Sequence, residues 1–403
     1  MIGKAVNFIN KVKPHLSDIF WSNLNQAVII GFALVNSVIF ARLAEKELYG
    51  QYLFVLAMFG LFSLVSIPGV RAVIFKDVAR GYDGVYRKGT RFSFLWSLVG
   101  VPILIITGVL VYLFKAKILG ICLISCAVFF PFMMSLQNWM LFLKGRSNFS
   151  GLTIYNSIQL FVNLAGVTAA IVFSGKLILI MLIYFLVNSG FNIFYHFRAL
   201  GSLKNNELDL SWKRQSYALT VLEFSTLVFG RIDTVLMGAL LSIDQVAVYG
   251  LVTKSIGVLF EVITSTMEGI GPELFKSKKI TVRYFYKFFL LSFLIPVILY
   301  PIIKYPIIFL YTRKYSEVVA YSQVCLAAVP FYFLNLVATY FMIKHKLDKE
   351  INFSRIVSLA VVLVLYAILI PLYGIWGGVI SSIFYFIIQM TLNLFLLKIR
   401  GIE

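Results

Sequence analysis

The sequence predicts an all-α integral membrane protein with about twelve transmembrane helices in two groups of six. The chain is 60% hydrophobic and only 13% charged, whereas a soluble domain is about one quarter charged. Apolar runs of about 20 residues, the length that crosses a bilayer, recur as far as the end of the chain. The basic residues fall in short segments between these runs, as is typical of membrane topology.

Each predicted span is an apolar run bounded by charged residues, glycine or proline. The spans are residues 17–41, 48–70, 91–114, 117–143, 150–174, 177–198, 215–241, 244–271, 283–303, 317–343, 352–372 and 374–398. Ahead of the first, Ile2, Val6 and Ile9 share a helical face opposite Lys4 and Lys11. We therefore expect a short helix along the membrane interface there, not a cleavable signal peptide.

The distribution of lysine and arginine orients the spans. Of the 36 basic residues, 26 lie in the amino-terminal arm, the even-numbered loops and the carboxyl tail, and eight lie in the odd-numbered loops. Because cytoplasmic loops carry an excess of basic residues, both termini are expected in the cytoplasm. The remaining two, Arg231 and Lys254, lie inside the seventh and eighth spans.

A polar stretch near the middle of the chain divides the spans into two sets of six. Residues 199–214 read GSLKNNELDLSWKRQS, which predicts a cytoplasmic linker between an amino-terminal lobe, 1–198, and a carboxyl-terminal lobe, 215–403. A faint repeat relates the lobes: ARLAEKELYGQY at 41–52 resembles GALLSIDQVAVY at 238–249. Six spans per half would make them parallel repeats about an axis along the membrane normal.

Several function classes are disfavoured. No loop is long enough to fold as a catalytic domain, and no phosphate-binding glycine-rich loop occurs. The three cysteines and three histidines show no metal-ligand spacing. We expect no enzyme activity, no metal and no cofactor. The net charge of +19 lies in short clusters between apolar runs, so it indicates membrane topology and not a nucleic-acid partner.

Charged residues inside the seventh and eighth spans require an explanation, because a charge near the bilayer centre costs about 2.5 to 3.5 kcal/mol on insertion scales. Helical periodicity predicts a polar face on each span. The residues of these faces are Glu223, Thr226, Gly230 and Thr234, flanked by Arg231 and Asp233, and then Lys254, Gly257, Glu261, Thr264, Ser265 and Glu268.

Two explanations remain open for these charges. They pair with one another, for example Asp233 with Lys254, or they line a water-filled lumen. In the second case Arg231 and Lys254 would bind an anionic substrate, while carboxylates would couple transport to H⁺ or Na⁺. The candidates for ion coupling are Glu223, Asp233, Glu261, Glu268 and Asp18.

Uncharged polar residues mark other spans. Their amides would bind sugar hydroxyls or link helices, and for any single one the second role is favoured. The candidates for glycan contact are Asn25, Asn156, Gln159, Asn163, Gln389 and Asn393. Pro330 is placed for a bend within the tenth span.

Three junctions resemble those of polysaccharide flippases in the multidrug/oligosaccharidyl-lipid/polysaccharide (MOP) exporter superfamily. They are ARLAEKELYGQYLFVLAMF at 41–59, RIDTVLMGALLSIDQVAVYGLVTKS at 231–255 and PLYGIWGGVISSIFY at 371–385. The chain length is most similar to that of the O-antigen (Wzx-type) flippases. The resemblance covers nearly the whole chain, in order.

The resemblance implies two six-helix lobes in a V shape around a central cavity, as in the MOP and MATE proteins. It also implies translocation of an undecaprenyl-diphosphate-linked oligosaccharide from the cytoplasmic to the periplasmic leaflet, in lipopolysaccharide and related polysaccharide biosynthesis. Arg231 and Lys254 would bind the diphosphate in the lumen. Arg71 would bind it first on the cytoplasmic side, and Arg42 would lie where it is released on the periplasmic side. Ordinary topological anchoring is an equal alternative for Arg71. The implied protein is a monomer that contacts membrane lipids and a downstream polymerase.

Two rival classes remain. A multidrug or cation antiporter of the same superfamily predicts a lumen of acidic and aromatic residues, which the cationic pair Arg231 and Lys254 disfavours. A membrane-embedded glycan polymerase or ligase normally carries a large periplasmic loop, and the odd-numbered loops here are short.

Overall fold

A computed structural model describes residues 16–276 and 286–401, and within those ranges the chain forms helices and turns with no strand. This confirms the predicted all-α class. The predicted interfacial helix in 1–15 lies outside the described residues.

Eighteen α-helices occur in the described residues. In chain order α1 to α18 they are Leu16–Leu43, Lys46–Phe62, Gly69–Ala79, Gly84–Phe114, Lys117–Ala127, Phe130–Met134, Trp139–Gly145, Phe149–Phe173, Leu177–Gly201, Trp212–Leu240, Ile243–Lys276, Tyr286–Ser292, Leu294–Ile302, Lys304–Tyr311, Glu317–Cys325, Ala328–Lys344, Asp348–Tyr373 and Ile375–Ile399. Every predicted span falls on one of these helices or on a broken series of them.

Nine helical segments of the described chain are long and apolar enough to cross a membrane, and two bent pairs raise the number to eleven. One bend, of 67°, separates Lys117–Ala127 from Phe130–Gly145 within the fourth predicted span, and the other, of 50°, lies in the ninth. The seventh predicted span is helical throughout α10, but its charged and polar residues lower its hydropathy. The chain is a multi-pass membrane protein.

The second predicted span ends earlier than expected. A 3₁₀ turn at Ser63–Ser66 follows α2, and Ile67 has a positive φ of 54°. The helix α3 then starts at Gly69, where a Cβ would lie 2.2 Å from the Ser216 carbonyl oxygen. Arg71 is therefore on a separate helix and not at the end of the second span, because the chain turns to let α3 approach α10 closely.

The chain divides into two compact units. The first contains the described residues up to Leu43 together with Met58–Phe224. Within it α1 packs on α8, α8 on α9, α4 on α5 and α3 on α7. A hydrophobic core that includes Val73, Tyr86, Trp139 and Tyr195 lies among these helices.

The second unit contains Ala44–Ala57 and the described residues from Ser225 onward. Within it α17 packs on α18, α16 on α18, and α11 on both α15 and α16. Residues 44–57 are fixed to this unit by a Lys46–Glu317 salt bridge and by Lys314, which donates to the Ala44 carbonyl.

The segment predicted as a linker, 199–214, is attached to the first unit. Helix α9 continues to Gly201 and α10 begins at Trp212. Asp83, in the turn between α3 and α4, forms a salt bridge with Arg146 and accepts a hydrogen bond from the Lys204 backbone N–H at 2.7 Å. We call Asp83, Arg146, Lys204 and Asn205 the linker clamp.

Candidate functional site

From Ser225 onward, the predicted polar faces of α10 and α11 lie on an exposed surface of the second unit. Thr226, Gly230 and Arg231 of α10 are exposed, as are Lys254 and Glu261 of α11. A Cβ added at Gly230 would meet no atom within 4 Å. Since this surface runs through otherwise apolar helices, its charged members require water or a polar ligand opposite them.

Arg231 and Lys254 lie together at the centre of this surface. Each is about 15 Å from the turn that joins α10 to α11, at about 1.5 Å per residue. Their positive charges act on one another, and neither forms a hydrogen bond or salt bridge with another described residue. The Asp233 carboxylate acts on Arg231 through its charge but forms no salt bridge with it. Two adjacent cations that bind no carboxylate directly form a site suited to an anion.

The pairing of Asp233 with Lys254, one of the two alternatives from the sequence, does not form. Asp233 instead accepts a hydrogen bond from the Tyr249 hydroxyl at 2.9 Å and others from the backbone and hydroxyl of Thr234. The side chain of Asp233 is directed toward α11 and α18, so its hydrogen bonds go to neutral groups.

A chain of hydroxyl groups extends from Asp233 into the unit. The Tyr249 hydroxyl lies 3.2 Å from the Ser382 hydroxyl, which in turn lies 2.9 Å from that of Tyr366. Tyr249 and Tyr366 are fully buried. The arrangement combines a carboxylate with three neutral oxygens, which are the groups that bind a proton or a small cation.

An aromatic cluster lies among α10, α11, α16 and α18. Phe229 stacks on Tyr385 with ring centroids 3.6 Å apart, and Phe260 stacks on Tyr332 at 4.4 Å. Phe386 contacts both pairs edge-on. Phe229 precedes Arg231 by two residues, so the rings and the cations lie at a similar height along α10 but on different faces of it.

In the first unit the structure brings Arg71 and Glu223 together. Their opposite charges act on one another, and Arg71 also donates to the Met134 carbonyl at 3.1 Å. Glu223 therefore has a cationic neighbour in the first unit, as Asp233 has in Arg231 in the second unit.

The other predicted charged residues are dispersed. Asp18 lies in the first turn of α1 and Arg42 is exposed in its last turn. Glu268 lies on α11, and its side chain is outside the described residues. Asp18 and Arg42 belong to the first unit, whereas Arg231 and Lys254 belong to the second.

The six amides predicted as glycan contacts are buried in helix interfaces. Asn156 donates to Asn25, Gln159 to Asn188, and Asn163 to the Tyr184 carbonyl. In the second unit Asn335 donates to Gln389, while Asn393 donates to Asn335 and accepts from Ser354. They link helices, which is the role the sequence favoured.

Sequence reasoning did not identify the partners of Asp233 or the linker clamp. Tyr249, Tyr366 and Ser382 lie on three different helices, so no spacing along the chain reveals their convergence. Asp83 sits in a polar turn that reads as an ordinary loop. The signal available for Tyr249 was its place in the repeat, opposite Tyr52 of the first half.

Comparison by sequence finds no family model and no curated relative that matches the chain. Comparison of structures finds a protein described as "Lipid II flippase MurJ, inward closed conformation", with a TM-score of 0.69 and 16% identity over 94% of this chain and 87% of that chain. A multidrug resistance MATE family transporter of the MOP superfamily, outward-facing, has a TM-score of 0.62 and 11% identity over 94% of each chain.

A MATE transporter of the same superfamily in an inward-facing conformation gives a TM-score of 0.56 and 10% identity over 92% of this chain and 93% of that chain. The chain shares the fold of these three structures. The coverage excludes a resemblance confined to a few helices. Identities this low show likeness of fold alone.

Proposed function

We propose that the protein is a flippase that moves a polyprenyl-diphosphate-linked oligosaccharide, an O-antigen or similar repeat unit, from the cytoplasmic to the periplasmic leaflet. The observation that carries this proposal is the Arg231–Lys254 pair on an open surface of an otherwise apolar unit. A diphosphate offers negative charge to two cations that no carboxylate binds directly, and an arginine can bind phosphate oxygens with two parallel N–H donors.

The aromatic cluster supports a glycan-bearing substrate. Rings such as those of Phe260 and Tyr332 provide flat apolar surfaces with a polar hydroxyl, which is the type of lining found in sites for small organic groups. The structural neighbour described as a lipid II flippase supports a lipid-linked substrate. The low identity leaves the glycan to be determined by experiment.

Coupling to an ion gradient belongs to the same proposal, by alternating access and with H⁺ or Na⁺ as the ion. Asp233 is the strongest candidate, because it is surrounded by the hydroxyls of Tyr249 and Thr234 and has no cation bound to it directly. In this proposal the protein is not an enzyme. It acts as a monomer in a bacterial inner membrane, with both termini in the cytoplasm and a polymerase as the next component.

A multidrug or cation antiporter is the second candidate, and the two MATE structures favour it. Exposed Glu261 and the aromatic cluster would suit an organic cation. The adjacent cations Arg231 and Lys254 oppose it, because they repel a positively charged drug.

The test uses purified protein in liposomes that contain a fluorescent undecaprenyl-diphosphate sugar, with and without an imposed ion gradient. We expect protein-dependent crossing that Arg231→Ala and Lys254→Ala each reduce about tenfold or more, since a lost charged hydrogen bond costs about 1.5–3 kcal/mol. Lys304→Ala is the matched control, because Lys304 is an exposed lysine of the same unit outside the polar face.

If wild type, Arg231→Ala and Lys254→Ala give equal crossing, these two residues do not form the diphosphate site. Absence of crossing together with uptake of a cationic dye by the same vesicles would favour the antiporter. If Lys304→Ala reduces crossing as strongly as Arg231→Ala does, the loss is a general effect of removing positive charge.

A further inference from the structure

A second cationic cavity lies within the first unit, separate from the polar face of α10 and α11. It has a volume of about 230 Å³ and lies where α7, α8 and α9 meet, next to the last turn of α9. Eight residues line it, and none of them is acidic: Trp139, Leu143, Asn148, Tyr155, Tyr195, Arg198, Ala199 and Ser202.

The floor of this cavity is aromatic, and two of its polar groups are already hydrogen-bonded. Tyr195 lies 4.6 Å from Trp139 and stacks on Tyr155 at 4.8 Å. Trp139 donates its indole N–H to Asn192, and the Tyr195 hydroxyl donates to the Tyr155 carbonyl. These rings therefore supply a rigid apolar surface and little hydrogen bonding to a ligand.

The charged donor among the lining residues is Arg198, at the mouth. Its guanidinium lies over the Tyr155 ring, 5.2 Å from the centroid, and forms no hydrogen bond or salt bridge with any residue that the structure describes. An exposed guanidinium held on an aromatic ring keeps its N–H donors for a ligand, and their planar fork matches the oxygens of a phosphate.

Apolar surface continues from this mouth along α8 and α9. Ile154 and Ile158 of α8 and Phe194 and Phe197 of α9 are exposed, with between 45% and 65% of their area accessible. Phe194 precedes Arg198 by four residues and so lies on the same helical face. In a membrane-spanning helix such a surface contacts acyl chains. A donor suited to phosphate therefore lies next to a surface suited to hydrocarbon chains.

We propose that this cavity binds the headgroup of an anionic glycerophospholipid, with the phosphate on Arg198 and the acyl chains along α8 and α9. Basic pockets between transmembrane helices are known sites for acidic lipid headgroups. Drug-sized ligands occupy about 300–1,000 Å³, so the cavity is too small for an oligosaccharide. The bound lipid is a fixed partner of the first unit and not the transported substrate.

The test places the full-length protein in nanodiscs of phosphatidylcholine with a minor fraction of spin-labelled phosphatidylglycerol and measures the immobilised lipid. For the wild type we expect a saturable class of bound lipid with preference for phosphatidylglycerol. Arg198→Gln should weaken this binding at least fivefold, and Arg198→Lys should retain part of it. Arg91→Gln is the matched control, because Arg91 is an exposed arginine on α4 that does not line the cavity.

Thermal unfolding of Arg198→Gln in detergent should match that of the wild type, which shows that the loss is not misfolding. No preference for the anionic lipid, or equal weakening by Arg198→Gln and Arg91→Gln, would overturn the proposal. Release of the label by millimolar inorganic phosphate would assign the cavity to a free anion and would also overturn it. All of these readouts are independent of flipping, so the proposal can fail while the transport function stands.

Discussion

The Tyr249 hydroxyl donates to the Asp233 carboxylate at 2.9 Å, although the two residues lie on different helices. The same hydroxyl also lies 3.2 Å from Ser382 on α18. One tyrosine thus joins the carboxylate of α10 to the hydroxyl chain of α11, α17 and α18. The hydrogen-bond donors to Asp233 are therefore neutral, and Arg231, whose charge acts on Asp233, forms no salt bridge with it.

We expect Asp233→Asn to abolish the dependence of transport on the ion gradient while leaving protein abundance unchanged, because the amide cannot take up a proton or neutralise a cation. Tyr249→Phe should weaken the dependence only in part, since Thr234 still donates to Asp233. The measurement is flipping rate against gradient size. Asp244→Asn is the control, being an acid in the first turn of α11 away from the hydroxyl chain. If transport by Asp233→Asn still depends on the gradient, Asp233 is not the residue that couples transport to the ion.

The amide network of the second unit should contribute stability and not substrate recognition. Asn393 is fully buried and donates to Asn335 at 2.8 Å and to Thr339 at 3.3 Å, and it accepts from Ser354. At about 0.6 kcal/mol per interhelical bond, Asn393→Ala should lower the free energy of unfolding by about 2 kcal/mol.

Asn352→Ala should have little effect on stability, because the Asn352 amide is exposed and donates only within its own helix. Denaturant unfolding in detergent measures both variants. If Asn393→Ala unfolds like the wild type yet loses flipping of the lipid-linked sugar, the amide contacts the glycan after all.

The linker clamp predicts that the mid-chain segment resists proteolysis. The Asp83 side chain is 1% exposed in its salt bridge with Arg146. Removing one partner of such a buried pair costs about 3–5 kcal/mol. Asp83→Ala should therefore lower stability by about 3 kcal/mol and expose residues 202–211 to protease.

Glu207→Gln is the control for the clamp, because Glu207 is an exposed acid of the same segment that forms no salt bridge with a described residue. Limited proteolysis followed by mass determination gives the cleavage sites. Equal cleavage rates in wild type and Asp83→Ala would show that the clamp does not hold the segment.

Asp77 should make stability depend on pH. It is fully buried at the end of α3, outside the spans, and neither carboxylate oxygen has a hydrogen-bond partner among the described residues. Burial raises the pKa of its carboxyl group, and Asp209 raises it further, against the lowering effects of Lys76 and Arg80.

With a raised pKa in the folded state, the stabilising effect of the Asp77 proton is complete below the unfolded pKa of about 3.9 and declines as the pH rises through the folded value. Asp77→Asn should remove this decline and gain about 1–3 kcal/mol at pH 8 relative to the wild type. Thermal midpoints between pH 4 and pH 8 measure it. Hydrogen bonds from Ser211 lower the pKa of the Asp209 carboxyl group. Asp209→Asn should therefore lower the stability at pH 8, whereas Asp77→Asn raises it. A parallel pH profile for wild type and Asp77→Asn would contradict the prediction.

The sequence by itself determined the all-α membrane class, the approximate position of each span and the polar faces of α10 and α11. These follow from local properties, because a span of about 20 residues needs only apolar composition and a helical face needs only its periodicity. Arg231 and Lys254 could be singled out from the sequence because a charge within an apolar run is conspicuous.

Only the tertiary structure decided which groups meet. It joined Asp233 to Tyr249 and not to Lys254, placed Asn25 and Asn156 in a helix interface, and tied Lys204 to Asp83. It also ended the second span at a turn that brings Gly69 against α10. These contacts join residues from different helices, and they depend on the packing of whole helices, which no local pattern in the chain encodes.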